Sequence, residues 1–398
     1  MAIHSLLLAA LASSASAVNL YVASYAGTVS TLQVTPGLGE DVYAASAALR
    51  FISTNKDCGS APSWLTFAEN RILYCVDEGF ATPNASVNTL KINADGSLTK
   101  IQSIDTIQGP VSAQFYNDGK NGAVALAHYS ASAISTFLRT RDGRLSPLEN
   151  FTFTAPPGPR PEQEKPHEHQ AILDPTGKFL LFPDLGADVV RVYSFDSNSK
   201  LKEQKSLQAP TGSGPRHAVF WSPKQSYSKS DIYLFVIHEL SNRIISYAVS
   251  YPSAGGLEFK KLQELGLYGD RADPVGTRAA EIIVSPDNNF VLASNRNATV
   301  FTLPNPDPSN STQIPSDSIV TFNISQKGEL TFQELSPSGG SFPRHFTLNK
   351  DGSQIAVANQ NSGNVVIWKR DAKTGKIGDR LATAEGLGQT TNVLFDES

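Results

Sequence analysis

The 398-residue sequence predicts an all-β fold, a seven-bladed β-propeller, from three observations. A phrase made of a short strand, a turn and an apolar strand recurs along the chain. Almost no segment carries a sustained 3.6-residue apolar period, so few helices are expected. The two ends of the chain supply complementary parts of one repeat. We therefore expect one propeller domain over residues 18–398. A pair of β-sandwiches is the alternative, but it predicts neither the sevenfold repeat nor the shared terminal unit.

The recurring phrase gives the number of blades. Clear copies of its first strand and turn occupy residues 169–177, 281–287 and 344–352. The apolar second strand of each repeat is predicted to begin at seven positions, 51 to 64 residues apart: Leu20, Ile72, Ala123, Phe179, Ile232, Phe290 and Gln354. Gly-containing turns later in the repeats indicate hairpins to a third and a fourth strand. Seven units of four short strands describe a seven-bladed propeller.

The two termini predict how the ring of blades closes. After the first 17 residues the chain enters directly at a second strand, residues 20–24, with no first strand before it. Residues 391–396 match the first-strand phrase and supply the missing piece. One blade is thus expected to contain strands from both ends of the chain, which leaves no open sheet edge.

The N-terminus predicts secretion. An apolar run over residues 6–11 precedes small residues that end at Ala17, the pattern of a secretory signal peptide over residues 1–17. No later stretch reaches the ~18 apolar residues of a membrane span. Five Asn-x-Ser/Thr sequons are candidates for N-glycosylation: Asn84, Asn150, Asn297, Asn310 and Asn323. We expect an extracellular glycoprotein with no membrane partner.

Cysteine usage and charge fit the same compartment and narrow the partners. Cys58 and Cys75 are the only cysteines, and they form either one disulfide across a hairpin or two buried thiols. The net charge is -4, and no block of Lys or Arg offers a surface for phosphate backbones. Nucleic acid is therefore not expected as a partner, and nothing in the sequence predicts an oligomeric state.

The repeat register also predicts a site at one mouth of the central channel. In each blade the first strand lies nearest the channel and runs antiparallel to the second, so the start of the first and the end of the second meet there. Six of the seven histidines occupy these positions. The starts of the first strands carry Trp64, Gln114, His167, His169, Arg216, His217, Glu281, Arg344, His345 and Thr391. The ends of the second strands carry Tyr25, Asp77, Glu78, His128, Asp184, His238, Glu239, Asn295, Arg296, Asn359 and Gln360. The alternative is that these groups only satisfy one another around a wet channel.

The residue types at this mouth predict proton transfer on an anion. Arg presents a planar fork suited to carboxylate or phosphate, and His and Glu move protons near neutral pH. Metal binding is the rival hypothesis, because His167 and His169 alternate on one strand and share a face. A fixed third ligand is missing from the pattern, and the nearby arginines would repel a cation. No nucleophile elbow or nucleotide-binding loop is present, so neither a covalent serine mechanism nor a nucleotide cofactor is expected.

Several motifs resemble one family. His169-Gln-Ala-Ile-Leu-Asp-Pro-Thr-Gly177, Gly214-Pro-Arg-His217, Ser294-Asn-Arg296 and Pro343-Arg-His-Phe346 are similar to the seven-bladed lactonases, which include bacterial-type 6-phosphogluconolactonase and the fungal carboxymuconate cyclase. The resemblance covers the whole chain after residue 17. It implies a site without metal or cofactor, made of one His, two Arg and one Glu. Matched motif by motif, the implied catalytic residues are His169, Arg216, Glu239 and Arg296.

The sequence therefore predicts an enzyme that opens or forms a lactone on a small anionic substrate. The two arginines would clamp the anion, while Glu239 and His169 would transfer protons. Further substrate contacts are expected from the other mouth positions: Trp64, His167, His217, Glu281 and Arg344. The alternative is a non-catalytic secreted propeller that binds a glycan, a cell-wall polymer or a host protein. A Pro-rich insertion over residues 304–316 favours that alternative, because it could cover the mouth or contact a partner.

Overall fold

The structure is a computed structural model that describes residues 18–35, 48–117, 122–224, 231–305, 307 and 309–397. Strands dominate these residues, and a 3₁₀ turn over Pro161–Gln163 is the one helical segment among them. No helix in the described ranges has the length and apolar character needed to cross a membrane. The expected signal peptide, residues 1–17, lies outside the described residues.

The strands are numbered along the chain and form seven four-stranded sheets, the blades. Blade 1 contains β1 (Val18–Ser24), β2 (Thr28–Thr35), β3 (Ala48–Asn55) and the last strand, β30 (Thr390–Asp396). Blade 2 contains β4 (Pro62–Ala68), β5 (Ile72–Asp77), β6 (Ala85–Ile92) and β7 (Leu98–Thr106). Blade 3 contains β8 (Pro110–Tyr116), β9 (Ala123–His128), β10 (Ala133–Arg139) and β11 (Leu145–Thr152). Blade 4 contains β12 (Ile172–Leu173), β13 (Phe179–Asp184), β14 (Val189–Phe195) and β15 (Leu201–Gln208).

The remaining three blades follow the same order. Blade 5 contains β16 (Pro215–Trp221), β17 (Ile232–His238), β18 (Arg243–Ser250) and β19 (Glu258–Gly266). Blade 6 contains β20 (Arg278–Val284), β21 (Phe290–Arg296), β24 (Ser318–Ile324) and β25 (Leu330–Pro337), with a hairpin of β22 (Phe301–Pro304) and β23 (Gln313–Ser316) inserted after β21. Blade 7 contains β26 (Pro343–Leu348), β27 (Gln354–Asn359), β28 (Asn364–Arg370) and β29 (Ile377–Ala384).

This architecture confirms the predicted seven-bladed propeller. Six of the seven second strands begin at the predicted residue, and β1 begins at Val18 instead of Leu20. The first strand of each blade is innermost and faces the channel: β30, β4, β8, β12, β16, β20 and β26.

The ring closes by antiparallel pairing of β1 with β30. Leu20 lies opposite Phe395 and Val22 opposite Val393 in this ladder. Val22 and Val393 are buried in an apolar cluster that blade 1 shares with blade 7. The predicted contribution of both chain ends to one blade is thus confirmed, and blade 1 has the same four strands as the others.

The core is divided among the interfaces between blades. Seven apolar clusters lie one at each interface, built from the alternating residues of the second and third strands. Fully buried side chains of this kind, such as Phe182 and Phe235, each stabilise the fold by about 1.5–3 kcal/mol. Tyrosines also donate hydrogen bonds to turns of the next blade: Tyr21 to the Gly96 carbonyl at 3.0 Å, and Tyr74 to the Gly143 carbonyl at 2.6 Å.

The structure joins Cys58 and Cys75 in a disulfide, one of the two alternatives that the sequence left open. Cys58 precedes the first strand of blade 2 and Cys75 lies on its second strand, β5. Both residues are buried in the cluster between blades 1 and 2. The bond therefore fixes the segment that enters blade 2 against the sheet itself.

The insertion after β21 folds back on the propeller wall and does not line the channel. Leu303 packs against the cluster shared by blades 6 and 7, and Arg380 Nη1 donates a hydrogen bond to the Pro304 carbonyl at 3.4 Å. The expectation that this insertion could cover the mouth is therefore wrong for its described residues, because its paired strands lie against blade 7.

Candidate active site

A bulge at the start of each innermost strand selects the side chain that faces the upper part of the channel. The ladder register shifts by one residue after Pro62, Pro110, Pro215 and Pro343, and similarly in the other blades. A bulge of this kind adds one residue and re-aims its side chain. The added residues are Ser63, Val111, His169, Arg216, Ala280, Arg344 and Thr391. All of them except Ala280 line the channel cavities.

The end of each second strand provides two successive positions with different roles. The final residue is buried and holds the neighbouring loop: Asp77, for example, accepts hydrogen bonds from Ala61 N at 2.7 Å and Gly79 N at 3.2 Å. The equivalent residues are Ser24, His128, Asp184, His238 and Asn359, together with Asn295, which stands one residue before the end of β21. The following residue turns towards the channel mouth: Tyr25, Glu78, Tyr129, Glu239 and Arg296 all line one cavity there. His128, Asp184 and His238 are therefore structural groups.

The cavity at this mouth has a volume of about 340 Å³. Its lining combines the two sets of positions just described with a few loop residues: Tyr25, Glu78, Phe80, Val111, Tyr129, Ser130, His169, Glu239, Arg296 and Arg344. Arg216 lies directly below it and contacts Glu239. The structure thus brings His169, Arg216, Glu239 and Arg296 together around one pocket.

Glu239 is held between two buried arginines. Its Oε2 lies 2.9 Å from Arg216 Nε and 2.7 Å from Arg296 Nη2. Burial alone would raise the pKa of Glu239, but the positive charges of Arg296 and Arg216 outweigh burial and hold the pKa below its ordinary value. Burial and the neighbouring Arg296 lower the pKa of Arg216 to about 9, so all three groups stay charged near neutral pH. A carboxylate with two charged donors is a weak base. Because Oε2 of Glu239 contacts both guanidinium groups, Glu239 holds the two arginines in place.

The arginines are also anchored to the backbone. Arg216 Nη1 donates to the Ala280 carbonyl at 2.7 Å, and Arg296 Nη2 donates to the Ala279 carbonyl at 2.8 Å. The guanidinium of Arg296 also lies 4.8 Å from the centre of the Phe342 ring, a cation–π contact. Such multiple contacts fix both planar groups before any substrate enters.

His169 is the histidine that lines the mouth cavity. It is buried, and its Nδ1 lies 3.1 Å from His217 Nε2. Burial and then the charge of Arg216 lower the pKa of His169 well below its ordinary value. The imidazole is therefore neutral near pH 7 and has a free lone pair to accept a proton.

The opposite wall of the cavity carries a third cation, Arg344. It lies 3.7 Å from Glu78 Oε1 and 5.5 Å from the centre of the Tyr25 ring. The Tyr25 hydroxyl donates a hydrogen bond to Glu78. Burial raises the pKa of Glu78 even though Arg344 lowers it. Arg344 lines the cavity as a cation, so an anionic group of a substrate on this wall would be attracted to it.

The other predicted substrate contacts lie elsewhere. Trp64, His217 and Glu281 form a layer beneath the cavity, around a small space of about 10 Å³. They follow the bulged residue by one position, and the alternation of a strand turns them away from the mouth. His167 lies outside the cavity, stacked on Tyr129 with ring centres 4.2 Å apart, and its Nδ1 donates to the Tyr129 carbonyl at 2.8 Å.

The predicted shared face of His167 and His169 is wrong, because no strand runs through them. The innermost strand of blade 4 is only Ile172–Leu173, and Glu168 forms an isolated bridge to Asp184. Both rings contact Tyr129, His167 stacked at 4.2 Å and His169 edge to face at 5.5 Å, but of the two histidines His169 lines the mouth cavity and His167 does not. Within the described ranges no three His, Cys, Asp or Glu side chains are grouped so that they could hold a metal ion.

Sequence analysis missed Tyr129 and Phe80 as lining residues. Tyr129 occupies the position equivalent to Glu78 and Glu239, one residue after His128. The repeat register contained this signal, but the preceding histidine had the more obvious chemistry. Phe80 lies in the loop between β5 and β6, which is longer than the equivalent loops of blades 3, 4, 5 and 7, and the centre of its exposed ring is 5.2 Å from that of Tyr25.

Comparison with known proteins now identifies the family. A family model described as "Lactonase, 7-bladed beta-propeller" matches residues 19–395. The chain belongs to this lactonase family. The probable 6-phosphogluconolactonase of Arthroderma benhamiae is 30% identical over 330 residues, which cover 82% of this chain and 78% of that protein. The 6-phosphogluconolactonase of Bacillus subtilis is 29% identical over 329 residues, covering 82% of this chain and 81% of that protein.

Solved structures of lactonases share the fold. The periplasmic gluconolactonase of Pseudomonas aeruginosa superposes with a TM-score of 0.77 at 24% identity, covering 96% of this chain and 99% of that one. A putative 6-phosphogluconolactonase from Bacteroides fragilis has a TM-score of 0.78 at 22% identity, with 97% and 99% covered. At these identities the likeness shows the architecture alone.

The buried histidines predict a fold that loses stability in acid. Burial lowers the pKa to about 4 in His128 and His345 and to about 3 in His238. In the unfolded chain these histidines bind protons near pH 6.5, but in the folded chain they stay neutral to a much lower pH. The free energy of unfolding is therefore not reduced by these groups above about pH 6.5, and it falls as the pH drops towards 4. Replacing His128→Gln should reduce the slope by up to about 1.4 kcal/mol per pH unit in urea-unfolding free energies. A surface control, Lys91→Gln, should leave the slope unchanged, and an unaltered slope in His128→Gln would contradict the linkage.

Proposed function

We propose that this lactonase-family chain hydrolyses the lactone ring of a small anionic molecule by acid–base catalysis without a metal. The observation that carries the proposal is the convergence of His169, Arg216, Glu239 and Arg296 around the mouth cavity. Each of these groups is buried or pocket-lining, and each is held by several contacts. The relatives named 6-phosphogluconolactonase support a hydrolytic reaction on a lactone that carries an anionic group.

The proposed mechanism uses His169 as the base and the arginines as the oxyanion site. A water molecule beside His169 attacks the lactone carbonyl, and His169 accepts its proton. Arg296 and Arg216 stabilise the negative charge that develops on the carbonyl oxygen. When the acyl C–O bond of the ring breaks, protonated His169 returns the proton to the leaving alkoxide. The product is a hydroxy acid, whose carboxyl group ionises in solution.

Glu239 has a supporting part in this scheme. Because Arg216 and Arg296 lower its pKa, it remains a carboxylate during turnover and keeps the two guanidinium groups fixed and partly neutralised. This assignment differs from the proton-transfer role expected from the sequence. The physical reason is its position between two charged donors, which lower its pKa and occupy Oε2.

Replacing the base should abolish most of the activity. His169→Gln should lower kcat by about 10²–10⁴-fold, the range for removal of a general base. Turnover is measured on 6-phosphogluconolactone, gluconolactone and carboxymuconolactone, after subtraction of spontaneous hydrolysis. The matched control is His128→Gln, which removes an equally buried histidine that lines no part of the mouth cavity. Full activity in His169→Gln would refute the site, and no turnover by the wild type would favour a binding propeller.

Arg344 should select anionic substrates. Its guanidinium lines the mouth cavity, and its one ion pair within the described ranges is with Glu78, at 3.7 Å. Arg344→Gln should lower kcat/KM for the phosphorylated lactone by about 10–100-fold, since a hydrogen bond to a charged group contributes about 1.5–3 kcal/mol. Neutral gluconolactone should be affected less than about threefold. Equal losses of kcat/KM for both substrates would show that Arg344 does not discriminate between charged and neutral lactones.

We also propose that the protein is secreted. The segment 1–17 has the pattern of a signal peptide, and all five sequon asparagines in the propeller are exposed. Asn297 follows Arg296 directly, but its Nδ2 donates to the Gly276 carbonyl at 3.0 Å and it does not line the cavity. Expressed in a eukaryotic secretory host, the protein should appear in the medium with Val18 as its first residue. Retention inside cells, or an intact N-terminus, would contradict secretion.

A further inference from the structure

Beneath the mouth cavity lies a group of buried titratable side chains that the proposed mechanism does not use. His217, Glu281 and His345 are 1%, 3% and 5% exposed, and they surround the narrow space under His169. The indole of Trp64 meets both imidazoles edge to face, with ring centres 5.6 Å from His217 and 5.2 Å from His345. These contacts fix the orientations of the two imidazole rings. The hydrogen-bond partner of each ring nitrogen then shows whether that nitrogen carries a proton.

The tautomer of His345 is determined by the backbone. The Val393 amide N–H points at His345 Nδ1 at 3.4 Å, so this nitrogen is an acceptor. A neutral imidazole then carries its proton on Nε2. That nitrogen lies 3.5 Å from Glu281 Oε2, close enough for an electrostatic contact but without a hydrogen bond.

Glu281 accepts its hydrogen bonds on one oxygen, Oε1. Its Oε1 accepts the Ile282 amide N–H at 3.0 Å and lies 2.9 Å from His217 Nδ1. Among the described residues Oε2 has no hydrogen-bond partner, so a proton placed there would find no acceptor, and the surrounding positive charges outweigh burial and lower the pKa of Glu281 to about 2. The group is therefore an ionised carboxylate, which only accepts hydrogen bonds. His217 must then donate from Nδ1, and its Nε2 keeps a lone pair.

The same logic continues to His169. Its Nδ1 lies 3.1 Å from His217 Nε2. Because His217 Nε2 has a lone pair and no proton, His169 Nδ1 must carry the proton of this hydrogen bond. The other tautomer would set two lone pairs against each other, or would force His217 to turn its proton away from Glu281. Because His169 has one proton when neutral, its Nε2 is left as an acceptor. Within the described residues Nδ1 makes the only hydrogen bond of this ring, and the side chain lines the mouth cavity.

We propose that Glu281 and His217 are positioning residues that hold His169 in the Nδ1–H tautomer, with its Nε2 lone pair available to accept a proton from water. The catalytic part of this inference rests on the proposed function, whereas the tautomer does not. Neither residue lines the mouth cavity, so their effect on the reaction passes through His169. Carboxylates that orient a histidine through its second nitrogen act in this way in metal sites and in hydrolases.

The tautomer is tested by NMR on full-length protein labelled with ¹⁵N-histidine. The resonances of His169 are assigned by their absence in His169→Gln. In the wild type near pH 7 we expect a protonated Nδ1 and an unprotonated Nε2 for His169. Protonation on Nε2 would overturn the proposal without any variant. In Glu281→Gln the new amide can donate to His217, and His169 should shift towards the Nε2–H form; an unchanged tautomer there would also overturn it.

Kinetics provide the second readout. Glu281→Gln should lower kcat by about 10²–10⁴-fold, the effect of losing a carboxylate that holds a catalytic histidine in its reactive tautomer. KM should change less than about threefold, because Glu281 does not touch the bound substrate. The matched control is Glu149→Gln, the same substitution at a carboxylate that accepts the Leu201 amide N–H on an outer strand. A raised KM with unchanged kcat would contradict a positioning role.

The two readouts separate the inference from the proposed function. If the tautomer shifts in Glu281→Gln but the wild type hydrolyses no lactone, the positioning network stands and the lactonase proposal fails. If lactones are hydrolysed and the tautomer is insensitive to Glu281, the lactonase proposal stands and the network fails. Thermal unfolding of each variant shows whether the fold is retained, and the wild-type spectrum decides the tautomer even where a variant does not fold.

Discussion

The antiparallel pairing of β1 with β30 is the interaction on which the rest of this structure depends. Without β30, blade 1 would lack its innermost strand, and Val22 would lose its partner Val393 in the cluster between blades 7 and 1. Closure also places seven innermost strands around one axis. Their starts, and the ends of their neighbours, then meet at one mouth. The functional cavity is therefore a consequence of ring closure, since residues 169, 239 and 296 come from different blades.

The meeting of strand ends at one mouth does not determine which side chains face the cavity. The bulges at the starts of the innermost strands determine that. In the Pro-Arg-His segments of blades 5 and 7 the bulge directs Arg216 and Arg344 upwards, and His217 and His345 enter the layer below. Removing the charged groups of Glu239, Arg216 and Arg296 from water costs free energy, and a buried ion pair of this kind rarely stabilises a fold. The apolar interfaces between the blades offset that cost. The charged site is therefore better explained by its chemistry than by its contribution to stability.

The sequence predicted the fold well because the signals for it are local. Turn residues and apolar alternation marked six second strands to the residue, and the terminal match indicated closure. The site was predicted less completely. His167 was assigned to a strand that begins only at Ile172, so the alternation used for it did not apply. Tyr129 was missed because the histidine before it, His128, was chosen for its chemistry, although the repeat register placed Tyr129 at the mouth. The separation of Trp64 from the mouth depends on a bulge, which is a property of pairing between strands and leaves little trace in one strand's sequence.

The layered arrangement explains how a site with several cations can still use a carboxylate to orient its base. Arg216, Arg296 and Arg344 surround the mouth cavity, where an anionic substrate would bind. Burial alone would raise the pKa of Glu281, but His217, His345 and the charge of Arg216 lower it to about 2, so its negative charge persists one layer below. If Glu281 stood in the cavity, it would repel that substrate and pair with the arginines. Placed beneath His217, it acts on His169 through hydrogen bonds and adds no further negative charge to the cavity, where Glu239 already pairs with Arg216 and Arg296. The one-residue offset between bulged and following positions is what makes this division possible.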